Sequence, residues 1–186
     1  MTPRAGDMVL TPRGLRVAGR VLACSIGRSG VTAAKREGDG ATPAGIHRIT
    51  GLLWRADRLP RPAPWAVPIR AGDLWCDDPG DPSYNRLVRA PFAARHEVLR
   101  RADPLYDLVL VTDWNGPPAR PGAGSAIFLH QWRRPGFPTA GCIAMARPDL
   151  LWLAARACPG TRLFVPPGLA GRAGVAGRCA GQAPSD

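Results

Sequence analysis

The sequence predicts a mainly β protein with one clear helix and long irregular loops. Glycine and proline are abundant, at 22 and 21 of 186 residues, which disfavours a helical bundle and favours short strands joined by turns. Residues 105–112, LYDLVLVT, have the composition of a buried, central strand. Only residues 148–154 have a clear helical pattern, with proline and aspartate where a first helical turn tolerates them.

The first quarter of the chain is predicted to form short strands. Residues 8–10, 16–18 and 20–26 have apolar strand patterns, with glycines between them. Gly-Arg-Ser-Gly at 27–30 is typical of a hairpin turn, and a further strand is expected at 31–35. This part of the chain is therefore expected to belong to a sheet.

The glycine-rich segment 38–45, GDGATPAG, is predicted to be a turn packed under the functional site. Its glycines suggest a phosphate-binding loop, but the lysine and hydroxyl residue that such a loop needs after its second glycine are absent. The segment is expected to lead into a strand at 46–54.

The middle of the chain is predicted to be largely irregular. Residues 55–81 are rich in proline, tryptophan and charge, and long loops of this kind commonly form the walls or lids of sites. A short helix is expected at 93–101, before an Asp-Pro pair stops it. A closing strand is expected at 161–165.

Residues 125–145, SAIFLHQWRRPGFPTAGCIAM, contain the strongest functional signal. Residues 126–129 are predicted to form a buried strand with His130 at its end, and a second apolar run follows at 143–145. The arginine-, proline- and glycine-containing segment between them excludes regular structure. A loop of that length can return Cys142 to the side of His130.

This pairing is typical of nucleophilic cysteine chemistry. An imidazole beside Cys142 can stabilise the thiolate and later protonate a leaving amine, so His130 is the candidate base. Gly141 lets backbone N–H groups approach a substrate carbonyl and hold the oxyanion. The alternative is that Cys142 is a small buried apolar residue and His130 only ends a strand.

Several motifs resemble the catalytic domain of the L,D-transpeptidase (YkuD-like) family. They are the run T-x-G-C-I-x-M at 139–145, the upstream F-L-H and GDGATPAG at 38–45. The segments KREGDGATPAG, WCDDPGDPSYNRLV and GSAIFLH are similar to a short, single-domain bacterial branch. The resemblance covers residues 20–165.

The resemblance implies a β-sandwich of the L,D-transpeptidase type in which Cys142 is the nucleophile and His130 its base. It implies peptidoglycan stem peptides as substrates, a thioester acyl-enzyme, and β-lactams of the carbapenem type as covalent inhibitors. Resolution of the thioester by an amine gives a cross-link, whereas water gives trimming, as in an L,D-carboxypeptidase or endopeptidase. The sequence leaves both outcomes open.

The chain departs from the commoner family pattern at Ala140 and Ala144, where histidine and arginine or asparagine are usual. Another arginine must therefore hold the substrate carboxylate. Arg86 is ranked first and the consecutive Arg133 and Arg134 next, because a loop with two adjacent arginines usually leaves one in solvent. The full set of candidate substrate-binding residues is Arg86, Tyr84, Asn85, Arg133, Arg134 and Thr139.

The formal charge of +11 is carried almost wholly by arginine and predicts attraction to polyanions. No zinc-finger spacing, basic helix or RNA-binding strand accompanies it, so no specific nucleic acid is expected as a partner. A non-enzymatic, arginine-rich binding module remains an alternative. The five cysteines leave at least one unpaired and form no C-x-x-C pair, and no metal or organic cofactor is implied.

One domain is expected over residues 1–166, followed by a disordered tail over 167–186 that is rich in glycine, alanine and arginine. Neither a signal peptide nor a membrane-spanning segment is readable. A peptidoglycan substrate would place the protein in the cell envelope, so the export route stays open.

Overall fold

The computed structural model describes residues 2–4 and 6–169. These residues are mainly β with one helix, as the composition predicts. The strands are β1 (Met8–Thr11), β2 (Gly14–Val17), β3 (Arg20–Leu22), β4 (Cys24–Ser25), β5 (Val31–Thr32), β6 (Thr42–Pro43), β7 (Gly45–Trp54), β8 (Val67–Pro68), β9 (Asp73–Cys76), β10 (Leu87–Arg89), β11 (His96–Val98), β12 (Leu108–Thr112), β13 (Phe128–Gln131), β14 (Ile143–Met145) and β15 (Arg162–Val165). The helix is α1 (Arg147–Ala154).

A ten-stranded mixed sheet forms the centre of the fold. Its order is β3-β2-β1-β15-β7-β12-β13-β14-β4, with β8 also paired to β7. The long strand β7 joins the two halves, since it pairs with β15 through its first residues and with β12 through its later ones. The prediction of a central strand at 105–112 is confirmed by β12, which lies between β7 and β13.

One face of the large sheet is covered by α1. Leu150 and Leu153 of the helix are buried in the same apolar cluster as Leu129, Ile143 and Met145. The helix follows β14 directly, as predicted, with proline in its first turn and Asp149 beside it. Burial of this face stabilises the strands on which the candidate site is built.

A three-stranded sheet, in the order β10-β9-β11, covers the other face. Trp75 of β9 meets Phe128 of β13 edge-on, with ring centroids 4.9 Å apart. Tyr106 and Cys142 lie in the same second cluster. The candidate site therefore lies between the two sheets.

The predicted helix at 93–101 is wrong. Residues in this range form β11 instead, which pairs antiparallel with β9 in the register Glu97↔Trp75. Backbone pairing with a distant strand outweighs the local preference of so short a segment. The strand expected at 31–35 is shorter, and that at 20–26 is divided into β3 and β4.

The described residues contain no helix that is long and apolar enough to cross a membrane. After β15 the chain passes through residues 167–169, where Leu169 O accepts a hydrogen bond from Val31 N at 3.2 Å. The rest of the predicted tail lies outside the described residues.

Candidate active site

The two candidate catalytic side chains lie on adjacent parallel strands. β13 and β14 pair in the register Leu129↔Ile143 and His130↔Ala144, and Cys142 immediately precedes β14. Because side chains alternate across a strand, His130 and Cys142 point to the same face of the sheet. Both line one cavity of about 230 Å³, whose other walls include Tyr106 and Arg133.

The turn before Cys142 requires glycine. Gly141 has φ +146°, and a Cβ there would lie 2.9 Å from Ala41 O. Thr42 Oγ donates a hydrogen bond to Gly141 O at 2.8 Å and accepts one from Gly27 N at 2.9 Å. The segment 38–45 therefore packs against this turn, as the sequence predicts.

The Cys142 thiol is protonated at rest. Its Sγ donates to Ala126 O at 3.0 Å and accepts from Phe128 N at 3.4 Å. Burial raises the pKa of Cys142 to about 12, and the charge of Glu97 acts in the same direction, while the Phe128 amide and Lys35 oppose it. If Cys142 acts as the predicted nucleophile, its thiolate has to be generated within this site.

The His130 ring is buried and neutral. Burial lowers the pKa of His130 to about 4, against the raising effect of the hydrogen bond to Gln131 O, 2.7 Å from Nδ1. A carbonyl only accepts, so the hydrogen lies on Nδ1 and Nε2 keeps its lone pair. The ring meets Tyr106 edge-on, with centroids 5.3 Å apart. Its Nε2 is thus suited to accept a proton.

A second cavity, of about 400 Å³, also reaches Cys142. Its walls are more strongly charged and include Lys35, Glu37, Arg95 and Glu97. Cys142 and Glu97 line both cavities. The thiol can therefore be approached from two sides.

The comparison with family models decides the family of this domain. The model of the L,D-transpeptidase catalytic domain, YkuD, matches residues 6–165.

The chain belongs to the L,D-transpeptidase catalytic-domain family.

No curated protein and no solved structure matches the chain at a significant level. The family identity supports an enzyme of the L,D-transpeptidase type. Within the described residues, no group of three or more His, Cys, Asp or Glu side chains is placed to hold a metal ion.

The side chains of Tyr84 and Asn85 form hydrogen bonds within the protein. The Tyr84 hydroxyl donates to Glu37 Oε2, and Tyr84 is buried. Asn85 Oδ1 accepts from Trp75 Nε1 and Ala126 N, each at 3.0 Å, and its Nδ2 donates to two carbonyls of the 114–115 turn. Asn85 thus holds the backbone whose carbonyl accepts the Cys142 thiol.

The structure does not bring Arg86 to either cavity of this L,D-transpeptidase domain. Its side chain is exposed, and its carbonyl accepts from Cys76 N at 2.9 Å in the turn before β10. Arg133 does line the cavity that contains His130. Arg134 is exposed outside both cavities, with its guanidinium 4.8 Å from the Phe137 ring centroid. The order of the arginine candidates is therefore changed in favour of Arg133.

Thr139 lines the His130 cavity, but its hydroxyl is engaged in the turn. Oγ donates to Cys142 O at 2.6 Å and accepts from Gly141 N at 3.1 Å. These bonds fix the Gly-Cys turn. A positioning role fits Thr139 better than direct substrate contact.

Sequence reasoning missed several residues that line this candidate site. Glu97 lies in a segment that was predicted to be a helix, and Tyr106 lies in a segment that was predicted to be a central strand. Neither prediction assigned the residue to the site. Lys35 and Glu37 fall within KREGDGATPAG, so that motif was the available signal for them. Nothing local in the sequence indicates that Glu97 faces Cys142.

Proposed function

We propose that the protein is a cysteine-dependent L,D-transpeptidase that acts on peptidoglycan stem peptides through a thioester at Cys142. The single observation that carries the proposal is the placement of Cys142 where two cavities meet, with the neutral ring of His130 lining one of them. One cavity can hold an acyl donor while the other admits an acceptor. The family identity supports the same reaction class.

Proton transfer begins from a neutral pair. The thiol turns from Ala126 O toward His130 Nε2 and gives up its proton, and Sγ attacks the amide carbonyl carbon. The amide of Gly141 already donates to Thr139, so the Cys142 N–H is the candidate donor to the oxyanion. The His130 imidazolium then protonates the departing amine as the C–N bond breaks and the thioester forms.

The second half-reaction uses the same groups in the opposite order. An acceptor amine attacks the thioester, His130 accepts its proton, and Cys142 leaves as the thiolate and is reprotonated. This gives a cross-linked peptide. Attack by water through the same route gives a trimmed peptide, the outcome of an L,D-carboxypeptidase or endopeptidase.

Arg133 is the proposed ligand of the substrate carboxylate. Arg133 is exposed and lines the His130 cavity, whose other walls include Glu97 and the apolar residues Leu105, Phe137 and Ala144. A guanidinium there can form paired hydrogen bonds with a carboxylate. Arg133 would thus supply the carboxylate-binding group that Ala144 lacks.

Mass spectrometry of stem peptides incubated with the protein tests the function. We expect an acyl adduct on the Cys142 peptide and cross-linked dimers, both lost in Cys142→Ser, and a covalent adduct with a carbapenem. Cys158→Ser, at an exposed cysteine, is the matched control and keeps both products.

The other outcomes separate the alternatives. Trimmed peptides without dimers indicate the hydrolase. No adduct and near-normal peptide binding by Cys142→Ser indicate an arginine-rich binding module. Undiminished turnover by Cys142→Ser would exclude Cys142 as the nucleophile.

A further inference from the structure

Two carboxylates that line the charged cavity together with Cys142, those of Glu37 and Glu97, form no ion pair within the described part of the chain, although the protein has a formal charge of +11. The cations of the charged cavity are already paired, Lys35 with Asp39 and Arg95 with Asp77. Glu37 and Glu97 form no ion pair among the described residues. Such half-buried carboxylates are suited to a cation supplied by a ligand.

The bonds of Glu37 distinguish it from Glu97. Glu37 Oε2 accepts from the Tyr84 hydroxyl and from Ser125 Oγ at 2.8 Å, so it is held within the wall of one cavity. Glu97 Oε2 accepts from the Tyr106 hydroxyl, and Glu97 lines both cavities. Glu97 is therefore the carboxylate at the junction where Cys142 reacts.

The fold fixes Glu97 in this position. Glu97 is directly opposite Trp75 in the β9–β11 ladder, so both side chains point from the three-stranded sheet toward the large sheet. Trp75 packs on Phe128, and Tyr106 joins Glu97 to the edge of His130. The carboxylate thus faces the strands that bear the nucleophile and its base.

The charge of Glu97 opposes formation of the Cys142 thiolate. Burial raises the pKa of Glu97, and its charge adds to the effect of burial on the pKa of Cys142. The other charged or titratable groups that line the same two cavities or act on these two residues are Asp77, Arg95, Arg101, Arg133, Glu37, Lys35, Tyr106 and His130. A cation between Glu97 and Cys142 would relieve the repulsion and favour the thiolate.

We propose that Glu97 selects substrates with a free primary ammonium group beside the reacting carbonyl, and that the bound ammonium activates Cys142. The proposal assigns Glu97 as a specificity-determining residue and rests on the proposed function for the identity of the reaction. In the empty site the nucleophile stays protonated. In the occupied site the ammonium balances the carboxylate and the developing thiolate.

Thiol labelling with three small methanethiosulfonates tests the charge selection without any turnover. The methyl, 2-aminoethyl and 2-sulfonatoethyl reagents are neutral, cationic and anionic, and each forms a mixed disulfide with release of methanesulfinate. Labelling of the Cys142 peptide is measured by mass spectrometry at pH 7 and divided by that of exposed Cys158 in the same protein. We expect the cationic reagent to exceed the anionic one by about 10-fold or more.

Glu97→Gln removes the charge and keeps the shape. We expect the cationic-to-anionic ratio to fall by about 5- to 50-fold, and labelling by the neutral reagent to become several-fold faster, since the thiolate is no longer repelled. Glu97→Asp is expected to keep the preference. Glu37→Gln is the matched control and should change the ratio by less than about 2-fold, because Glu37 is not at the junction.

Tyr106→Phe shows whether Glu97 binds a cation directly or only holds Tyr106 in place. This variant keeps the charge of Glu97 and should keep the preference for the cationic reagent. If Glu97 only supports Tyr106, then Glu97→Gln and Tyr106→Phe will alter all three rates by a common factor, which overturns the proposal. An unchanged charge order in Glu97→Gln also overturns it.

The wild-type protein supplies a measurement that does not depend on the folding of a variant. Ethylammonium chloride should accelerate labelling of Cys142 by the neutral reagent, relative to tetramethylammonium chloride at equal ionic strength. Equal rates in the two salts contradict the proposal. Charge-selective labelling without any acyl adduct from stem peptides would instead reject the proposed function and leave the role of Glu97 in place.

Discussion

A buried neutral thiol and a buried neutral imidazole form the candidate catalytic pair. Burial raises the pKa of Cys142 and lowers that of His130, so both environments oppose a resting thiolate–imidazolium ion pair. Sequence reasoning expected the imidazolium to stabilise the thiolate. Under the proposed mechanism, Cys142 is therefore activated only when a substrate changes the surrounding charge.

The burial of His130 predicts a pH-dependent stability. Its folded pKa of about 4 lies below the unfolded value of 6.5, so its contribution is present above pH 6.5 and is lost as the pH falls through 4. We expect His130→Asn to reduce the difference in unfolding free energy between pH 7 and pH 4, measured in urea, by about 3 kcal/mol. His96→Asn, in the three-stranded sheet, is the control. An equal reduction in both variants would contradict the prediction.

Gly141→Ala should impair both stability and turnover. The added methyl group meets Ala41 O at a backbone angle that alanine rarely adopts, so we expect a loss of about 1–3 kcal/mol and at least about a 10-fold fall in acylation of Cys142. Gly160→Ala is the matched control, because Gly160 also has a positive φ, +87°, but has open space around it. Equal effects on acylation would show that the turn does not position Cys142.

Arg133→Ala should weaken the reaction of peptides with a free terminal carboxylate. We expect about a 10- to 100-fold fall in kcat/KM, the value of roughly 1.5–3 kcal/mol for a charged hydrogen bond. Amidation of that carboxylate should cause a similar fall in the wild type and little further fall in the variant. Arg134→Ala is the control. If the falls in kcat/KM caused by the mutation and by amidation instead multiply, Arg133 does not bind that carboxylate.

At the scale of elements, strands with continuous apolar runs were predictable and short paired strands were not. β7, β12, β14 and α1 carry enough buried apolar residues to be read from the sequence. β11 has a half-exposed, charged sequence, and only its distant partner β9 makes it a strand. The sequence therefore located Cys142 and His130 but missed Glu97, which β11 delivers to the site.

The same limit explains the misplaced arginine. Arg86 lies in a segment that resembles the family, but a shared motif does not by itself place each of its side chains near Cys142. In the structure the neighbouring Asn85 accounts for the segment, because it joins Trp75, Ala126 and the 114–115 turn. This role depends on contacts with three distant parts of the chain, so the sequence around Asn85 does not indicate it.

Asn85→Ala should loosen the strand entry that holds the Cys142 thiol. The change removes four hydrogen bonds and leaves the Ala126 amide without its acceptor, so we expect a loss of about 2–3 kcal/mol in unfolding free energy. Labelling of Cys142 by a neutral reagent should also change, because Ala126 O accepts its S–H. Arg86→Ala, one residue further along, should change stability by less than about 0.5 kcal/mol. If Asn85→Ala changes neither the unfolding free energy nor the labelling of Cys142, Asn85 does not hold the strand entry.

At the scale of the whole molecule, the arginine-rich charge and the acidic junction act over different distances. The formal charge of +11 favours the approach of polyanions, including the carboxylate-bearing peptides that we propose as substrates. Glu97 acts only next to Cys142. In the proposed function, groups of opposite charge therefore attract the substrate and select it at the site.

This division predicts a salt effect on capture. Raising ionic strength from about 0.05 to 0.5 M shortens the range of exposed charges, so kcat/KM for a peptide with several carboxylates should fall several-fold. The same peptide with its carboxylates amidated should respond much less. Stopped-flow or initial-rate measurements with both peptides provide the comparison, and parallel salt profiles would contradict the prediction.

Because β13 pairs in parallel with β14, different parts of the sequence position the catalytic pair and line the cavity. The ladder sets the positions of His130 and Cys142 through backbone hydrogen bonds, whereas residues 132–138 between them supply Arg133 and Phe137 to the cavity wall. Substitutions, insertions or a grafted loop in that segment can alter which peptide is accepted while proton transfer keeps its geometry. Substrate choice can therefore diversify without the reaction having to be rebuilt each time.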